Sequence, residues 1–196
     1  MKFLNITLSV LALSLISFAP AKKSPKVMSG DSSFLKKSST VYVEFDISEA
    51  SIDGLDSEAD FIEYKRKKEK SRSEADKWEK AWNKDKEDFG EYYGEVLRKA
   101  TKKYPASFNI DDPESDYKMV VQPIHIETGT PIKYSSIETK LIFTEIASGE
   151  EVAVIYIPAS RGLQMGPMSP TTGYRVKAAA AGSAKMIAKF YKKLLK

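Results

Sequence analysis

The chain of 196 residues lacks cysteine and has a single histidine, His125. Without cysteine we expect no disulfide bond, no thiolate metal site and no lipid anchored on a cysteine. Any mechanism with a histidine base must use His125. The sequence has no G-x-S-x-G, P-loop or G-x-G-x-x-G motif. We therefore predict a protein that is not an enzyme, with no cofactor and no metal.

Long apolar stretches are scarce too, and the most extended apolar-rich one lies at the amino terminus. Residues 1–21 combine Lys2, an apolar core over 3–18 and the small-x-small sequence Ala19-Pro20-Ala21. This pattern is typical of an export signal with cleavage near Ala21. A bilayer span needs roughly 20 apolar residues, and polar residues interrupt this core. The prediction is a periplasmic or extracellular protein with no intrinsic membrane span or lipid anchor.

The charge has little excess of one sign. Thirty-one Lys and Arg residues oppose 27 Asp and Glu residues, for a formal charge of +4. The most basic stretch, Lys65–Arg72, would suggest nucleic acid in a cytoplasmic protein. In an exported protein we interpret it as a solvated face, or as a contact to lipid head groups or polyanionic glycans. We expect no nucleic-acid partner.

The first half of the chain predicts a leader, a strand and a long helix. Residues 22–39 are rich in Ser and Lys without apolar periodicity, which indicates a flexible leader. Residues 40–47 alternate as in a half-buried strand. A charged insertion at about 57–77 precedes an apolar stripe at three- and four-residue steps, which predicts a helix of about 25–30 residues ending near Tyr104. Trp78 and Trp82 share one face of it, as core or interface residues.

The second half predicts three strands and a closing helix. The strand 117–127 contains Pro123, which requires an edge position or a bulge. The strands 137–146 and 151–157 flank a turn and form a hairpin. A Gly-, Met- and Pro-rich loop covers 160–173. The Ala-rich helix 174–195 can approach a sheet closely.

His125 supports two hypotheses that remain open. A hydrolase would combine His125 with a serine and an acid brought together by the fold. His125 and Glu127 could also share one strand face as metal ligands, but no third ligand is evident. Carboxylates are numerous enough for a two-acid glycosidase, although no sequence pattern indicates one.

The order of elements resembles a group of exported α/β domains that includes the TolB amino-terminal domain and the lipoprotein activators of penicillin-binding proteins. The resemblance is carried by the strand 117–126 after Asp116, the strand-turn-strand 141–157 around Gly149-Glu150, the loop 162–173 and the helix from Ala179. It implies a non-enzymatic adaptor or assembly factor of the cell envelope. The chain differs from the lipoprotein members by lacking the anchoring cysteine.

These observations predict one α/β domain over residues 40–196, with a small, mainly antiparallel sheet of about four strands and two helices on one face, in the order β-α-β-β-β-α. The predicted function is non-enzymatic binding to an envelope protein. The alternatives are a hydrolase using His125 and a soluble carrier of a small apolar ligand. The predicted contact surface is the sheet edge near Pro123 together with the loop that holds Arg161, Gln164, Met165, Met168 and Thr171.

Overall fold

A computed structural model describes residues 24–130, 132–162 and 171–196. It contains seven strands, four α-helices and one short 3-10 helix. The strands are β1 (Lys26–Gly30), β2 (Thr40–Phe45), β3 (Ser51–Ile52), β4 (Ser107–Asn109), β5 (Tyr117–Glu127), β6 (Ser136–Glu145) and β7 (Glu151–Arg161). The helices are α1 (Glu58–Lys68), α2 (Arg72–Glu87), α3 (Phe89–Thr101) and α4 (Thr172–Leu194), and the 3-10 helix is Ser33–Lys36.

The sheet corrects the predicted architecture, although the fold remains α/β. Its strand order is β1-β7-β6-β5-β2-β4, with β3 also paired to β5. The sheet is mixed, because β2 runs parallel to β4 and β5 and β3 runs parallel to β5, whereas the pairs β5–β6, β6–β7 and β7–β1 are antiparallel. The prediction of about four mainly antiparallel strands with two helices was therefore wrong. The parallel pairing follows from the helical crossover α1–α3 between β2 and β4, a connection that parallel strands require.

The helices cover one face of the sheet. Inward-facing side chains of β2, β5, β6 and β7, such as Val43, Val121, Leu141 and Ile155, are buried, and the residues between them are mostly half-buried. Helix α4 contacts β6 and β7, and α3 contacts β2 and β4. The Ala-rich part of α4 lies very close to the sheet, because a Cβ added at Gly182 would be 2.7 Å from the carbonyl oxygen of Arg161. The predicted close approach of this helix is thus confirmed.

The region predicted to be a flexible leader is part of the fold from residue 26. Strand β1 pairs with β7 at the edge of the sheet. Phe34 and Leu35 belong to the hydrophobic core. The sequence showed no sign of β1, because all five of its residues are exposed and carry no alternating apolar pattern.

The charged insertion forms helices that are fixed by aromatic side chains. Ser57 and Ser71 cap α1 and α2 by accepting hydrogen bonds from the amides of Asp60 and Glu74. Trp82 is buried between Phe61, Trp78 and Phe89, with ring centroids 5.2 to 6.3 Å apart. The predicted long helix is present as α2 and α3, which are separated only at Asp88.

Strand β5 lies inside the sheet, between β6 on one side and β2 with β3 on the other. The prediction of a sheet edge near Pro123 was therefore wrong. The alternative of a bulge is confirmed, because the pairing with β6 shifts register between Pro123 and His125. The predicted hairpin is also confirmed, since β6 and β7 pair antiparallel around the turn at Gly149.

Candidate functional site

The predicted binding loop is shorter than expected, because β7 extends to Arg161 and α4 begins at Thr172. Gln164, Met165 and Met168 lie outside the described residues. Arg161 is exposed at the end of β7. Thr171 caps α4: its hydroxyl accepts a hydrogen bond from the amide of Tyr174 (3.1 Å) and donates one to Asp85 (2.5 Å). Thr171 therefore positions the helix start, and its hydroxyl is already engaged.

Arg175 joins the first turn of α4 to the turn between β5 and β6. Its guanidinium donates to the carbonyl oxygens of Thr128 (3.1 Å) and Gly129 (3.4 Å). The Ser135 hydroxyl donates to the carbonyl oxygen of Arg175 at 2.5 Å. Burial lowers the pKa of Arg175, and the nearby Asp53 carboxylate opposes that shift. The two segments are thus held together by hydrogen bonds from both sides.

Asp53 fixes the other side of the same turn. Its carboxylate accepts hydrogen bonds from the amide and the hydroxyl of Thr128, both at 2.7 Å. Asp53 and Gly54 both have positive φ, and Ile52 and Leu55 exchange backbone hydrogen bonds across them. This geometry is that of a type I′ turn, in which Asp-Gly is favoured. The sequence indicated this turn but not its contact with Thr128.

Large apolar side chains are exposed in the segments that Arg175 joins. Ile132 is 80% exposed and Tyr134 47% exposed in the β5–β6 turn, and Tyr174 is 37% exposed at the start of α4. We call Arg161, Thr171, Ile132, Tyr134 and Tyr174 the loop end of the molecule. The sequence predicted Arg161 and Thr171 as contact residues but not the other three. The available signal was an isoleucine and a tyrosine within a Gly-containing turn, where no core position is expected.

His125 lies in a hydrogen-bonded chain of three side chains. Its Nδ1 is 2.8 Å from the Ser51 hydroxyl, and its Nε2 is 2.8 Å from the Glu127 carboxylate. The parallel pairing of β3 with β5 brings Ser51 beside His125. The fold thus supplies the serine and the acid that the hydrolase hypothesis required. Sequence reasoning missed Ser51, because no local pattern predicts the pairing of β3, which has only two residues.

The reactivity of the Ser51–His125–Glu127 hydrogen-bonded group depends on which imidazole nitrogen carries the proton. With Nε2 protonated, Nδ1 accepts a proton from Ser51 and the hydroxyl is activated as in a serine nucleophile. Ser51 also contacts the carbonyl oxygen of Ile124 at 3.1 Å, and donation there leaves the hydroxyl inactive. The amide of Asp53, two residues on, donates to Ile126 and offers no oxyanion contact.

The described part of the chain meets neither the requirements of a metal site nor those of a membrane-spanning helix. Residues 24–130, 132–162 and 171–196 contain no group of three His, Asp or Glu side chains placed to hold a metal ion. In those same ranges, no helix combines the length and apolarity that crossing a bilayer requires.

Two surface pockets lie at the ends of β2. One, of about 460 Å³, is lined by Phe34, Ser39, Asp116, Tyr117 and Glu145 among others. The second, of about 450 Å³, is lined by Phe45, Glu58 and Lys86 among others. In the first pocket, Asp116 accepts hydrogen bonds from the Thr40 amide and hydroxyl at 2.7 and 3.0 Å. In the second, Glu58 is paired with Lys86 at 2.8 Å. Asp116 and Glu58 therefore have internal partners, whereas the Ser39 hydroxyl in the first pocket is buried without one among the described residues.

Comparisons with known proteins yield a distant similarity only. No family model matches the chain, and no curated protein matches it. Two solved structures of the PelC dodecamer from Paraburkholderia phytofirmans are similar to it. One has a TM-score of 0.40 and 8% sequence identity, covering 84% of this chain and 98% of that one. The other has a TM-score of 0.38 and 9% identity, covering 82% and 98%.

Proposed function

We propose that the protein is a non-enzymatic, exported binding protein that acts as an adaptor in cell-envelope assembly and contacts a protein partner through its loop end. The observation that carries the proposal is the exposure of Ile132, Tyr134 and Tyr174 in two segments that Arg175 joins by hydrogen bonds. Export is supported by the signal pattern of residues 1–21.

The composition of the loop end favours a protein partner. Tyrosine and arginine are enriched at protein interfaces and in their energetic hot spots. Arg161 makes no ion pair with any residue in the described ranges, so its guanidinium can meet an acidic group of the partner. A rigid, preorganised surface binds with a smaller entropic cost than a flexible one.

Site-specific photo-crosslinking in intact cells tests the proposal. A benzophenone amino acid replaces Ile132 in one variant and Met28, which is 65% exposed on β1, in the control. We expect a discrete adduct from position 132 and none of the same mass from position 28. No adduct from position 132, or the same adduct from both positions, would contradict binding through the loop end.

The hydrolase is a second candidate because Ser51, His125 and Glu127 are in hydrogen-bonding contact. Its test is turnover of short-chain nitrophenyl esters by the wild type, Ser51→Ala and His125→Ala, with Ser136→Ala as the matched control on the neighbouring strand. A hydrolase requires a loss of about a hundredfold or more in both site variants while the control is unchanged. We expect no turnover above background in any of them.

A further inference from the structure

Helices α3 and α4 run parallel, so that their carboxyl ends meet at one end of the molecule. Near the helix starts, Lys177 of α4 is 3.2 Å from Asp88, which precedes α3. Near the helix ends, the Tyr191 ring of α4 packs on Tyr104, just after α3, with centroids 4.9 Å apart. Tyr191 also accepts a hydrogen bond from the Ala106 amide at 2.6 Å.

Basic residues concentrate where these two helices end. The segments 98–103 and 189–196 contain eight Lys or Arg residues and no Asp or Glu. Since the whole chain carries +4, the remaining residues carry −4 (+4 less +8). We call these eight the basic pole: they are exposed, and they are Arg98, Lys99, Lys102, Lys103, Lys189, Lys192, Lys193 and Lys196.

The lysines of the basic pole have few internal partners. Among residues 24–130, 132–162 and 171–196, only Lys99 of this set forms an ion pair, with Glu95 at 2.9 Å. The basic run of α1 differs in this respect. Arg66 there pairs with Asp76 and Glu79, Lys67 pairs with Glu63, and Lys65 lies 4.0 Å from Asp53. The positive charge that is free to bind an external anion therefore lies at the basic pole and not in the basic run Lys65–Arg72.

We propose that the basic pole docks on the anionic head groups of a lipid bilayer. Seven of its eight charges are lysines, which act as flexible point charges and do not form the planar fork by which arginine reads a single carboxylate or phosphate. Such charges attract an extended anionic surface additively, and the attraction falls within a Debye length. Half-buried Phe190, Leu194 and Leu195 lie among the lysines and add apolar area at the interface.

This inference stands on the charge distribution and does not depend on the loop end. The two surfaces involve opposite ends of α4, whose 23 residues span about 34 Å at 1.5 Å per residue. A bilayer held at the basic pole would leave the loop end facing away from the lipid.

Sedimentation with vesicles tests the proposal, using the full chain without residues 1–21. Vesicles of phosphatidylcholine alone are compared with vesicles that also contain phosphatidylglycerol, at low and at high salt. We expect binding to the anionic vesicles only, and its loss at high salt. Lys192→Gln/Lys193→Gln/Lys196→Gln should weaken it by about 100-fold, because each of the three lysines contributes about a fivefold factor near an anionic surface.

The matched control removes three lysines from α1 instead, as Lys65→Gln/Lys67→Gln/Lys68→Gln. It has the same net charge as the pole variant, so an equal loss in both would show an effect of net charge and overturn the docking. Equal binding to neutral vesicles would overturn it as well. Binding to heparin without binding to anionic vesicles would replace the bilayer with a soluble polyanion and would also contradict the proposal. Circular dichroism confirms that both variants are folded.

Discussion

Two tyrosine hydroxyls are buried in the core, and they differ in their hydrogen bonding. The hydroxyl of Tyr191 donates to the Leu35 carbonyl and accepts from the Ala106 amide, both at 2.6 Å. It thereby ties α4 to the 3-10 helix and to the start of β4. The Tyr93 hydroxyl on α3 is buried without a hydrogen-bond partner among the described residues. Burial raises the pKa of Tyr93, and the nearby Ser183 hydroxyl opposes that shift without reaching hydrogen-bonding geometry.

The same substitution should therefore have opposite effects at the two positions. Tyr191→Phe leaves a buried amide and a buried carbonyl unpaired, and we expect it to lower the free energy of unfolding by about 1–3 kcal/mol. Tyr93→Phe removes an unsatisfied group and should leave stability unchanged or raise it by up to about 1 kcal/mol. Urea unfolding of both variants measures the difference. A destabilisation of Tyr93→Phe as large as that of Tyr191→Phe would contradict this interpretation.

Tyr156 should make stability depend on pH in the alkaline range. Its hydroxyl donates to Glu138, and this hydrogen bond, with burial and the charge of Glu138, raises the pKa of Tyr156 to about 12. The unfolded-state pKa is about 10. Because the folded-state pKa is the higher one, the stabilisation is complete below pH 10 and is lost as the pH rises toward 12.

The check is to compare wild type with Tyr156→Phe by urea unfolding at about pH 8 and about pH 11. The stability advantage of the wild type over the variant should be smaller at the higher pH. An advantage that stays constant or grows would show that Glu138 does not hold the Tyr156 proton.

At the scale of elements, the contact between α4 and β7 depends on small residues. Alanine at Gly182 would place its Cβ 2.7 Å from the Arg161 carbonyl oxygen, whereas alanine at Gly90 of α3 would place it 3.3 Å from the Phe45 Cβ. The Arg161 carbonyl belongs to the backbone of β7, so it cannot shift without moving the strand. The Phe45 Cβ belongs to a half-buried side chain that needs to shift by only a few tenths of an ångström.

We expect Gly182→Ala to destabilise the protein by about 1–2 kcal/mol, because overpacking against the sheet outweighs the gain in helix propensity. Gly90→Ala should be neutral or stabilising by up to about 1 kcal/mol, because the propensity term dominates there. Thermal unfolding of the two variants is the measurement. A stabilised Gly182→Ala variant would refute the close helix–sheet contact.

Elements with strong periodicity could be predicted from the sequence. The alternation after Thr40 and the apolar stripe through Trp82 identified β2 and the helices α2 and α3, and the turn at Gly149 identified the β6–β7 hairpin. The elements that were missed are short or exposed. Strand β1 has no buried residue, β3 has two residues and β4 has three, so none contains enough pattern to detect.

At the scale of the whole molecule, the topology of the sheet is set by long-range strand pairing, which local sequence patterns do not predict. Whether β2 joins β5 in parallel depends on long-range packing, which is why the predicted sheet was too small and mainly antiparallel. The same pairing limits site prediction. Arg161 and Thr171 are near each other in sequence, but Ile132 and Tyr134 are brought to them by the pairing of Ser136 with Arg161 and by the contacts of Arg175 with Thr128 and Gly129.

We propose two functional ends for the molecule, an apolar one where α4 begins and a basic one where α4 ends. Partner binding at the loop end and attraction to lipid at the basic pole are independent, since the loop end relies mainly on apolar contact and the pole relies on charge. High salt should therefore abolish vesicle binding and leave partner binding largely intact.

The affinity of the purified protein for the partner captured at position 132 tests the central claim most directly. We predict that Ile132→Ser/Tyr134→Ser weakens binding by about tenfold or more, because truncating exposed apolar anchors at an interface typically costs over 1 kcal/mol. Met28→Ser, a matched loss of an exposed apolar side chain on β1, should change it by less than about twofold. Equal effects of the two variants, or no effect of Ile132→Ser/Tyr134→Ser, would contradict an adaptor that binds through its loop end.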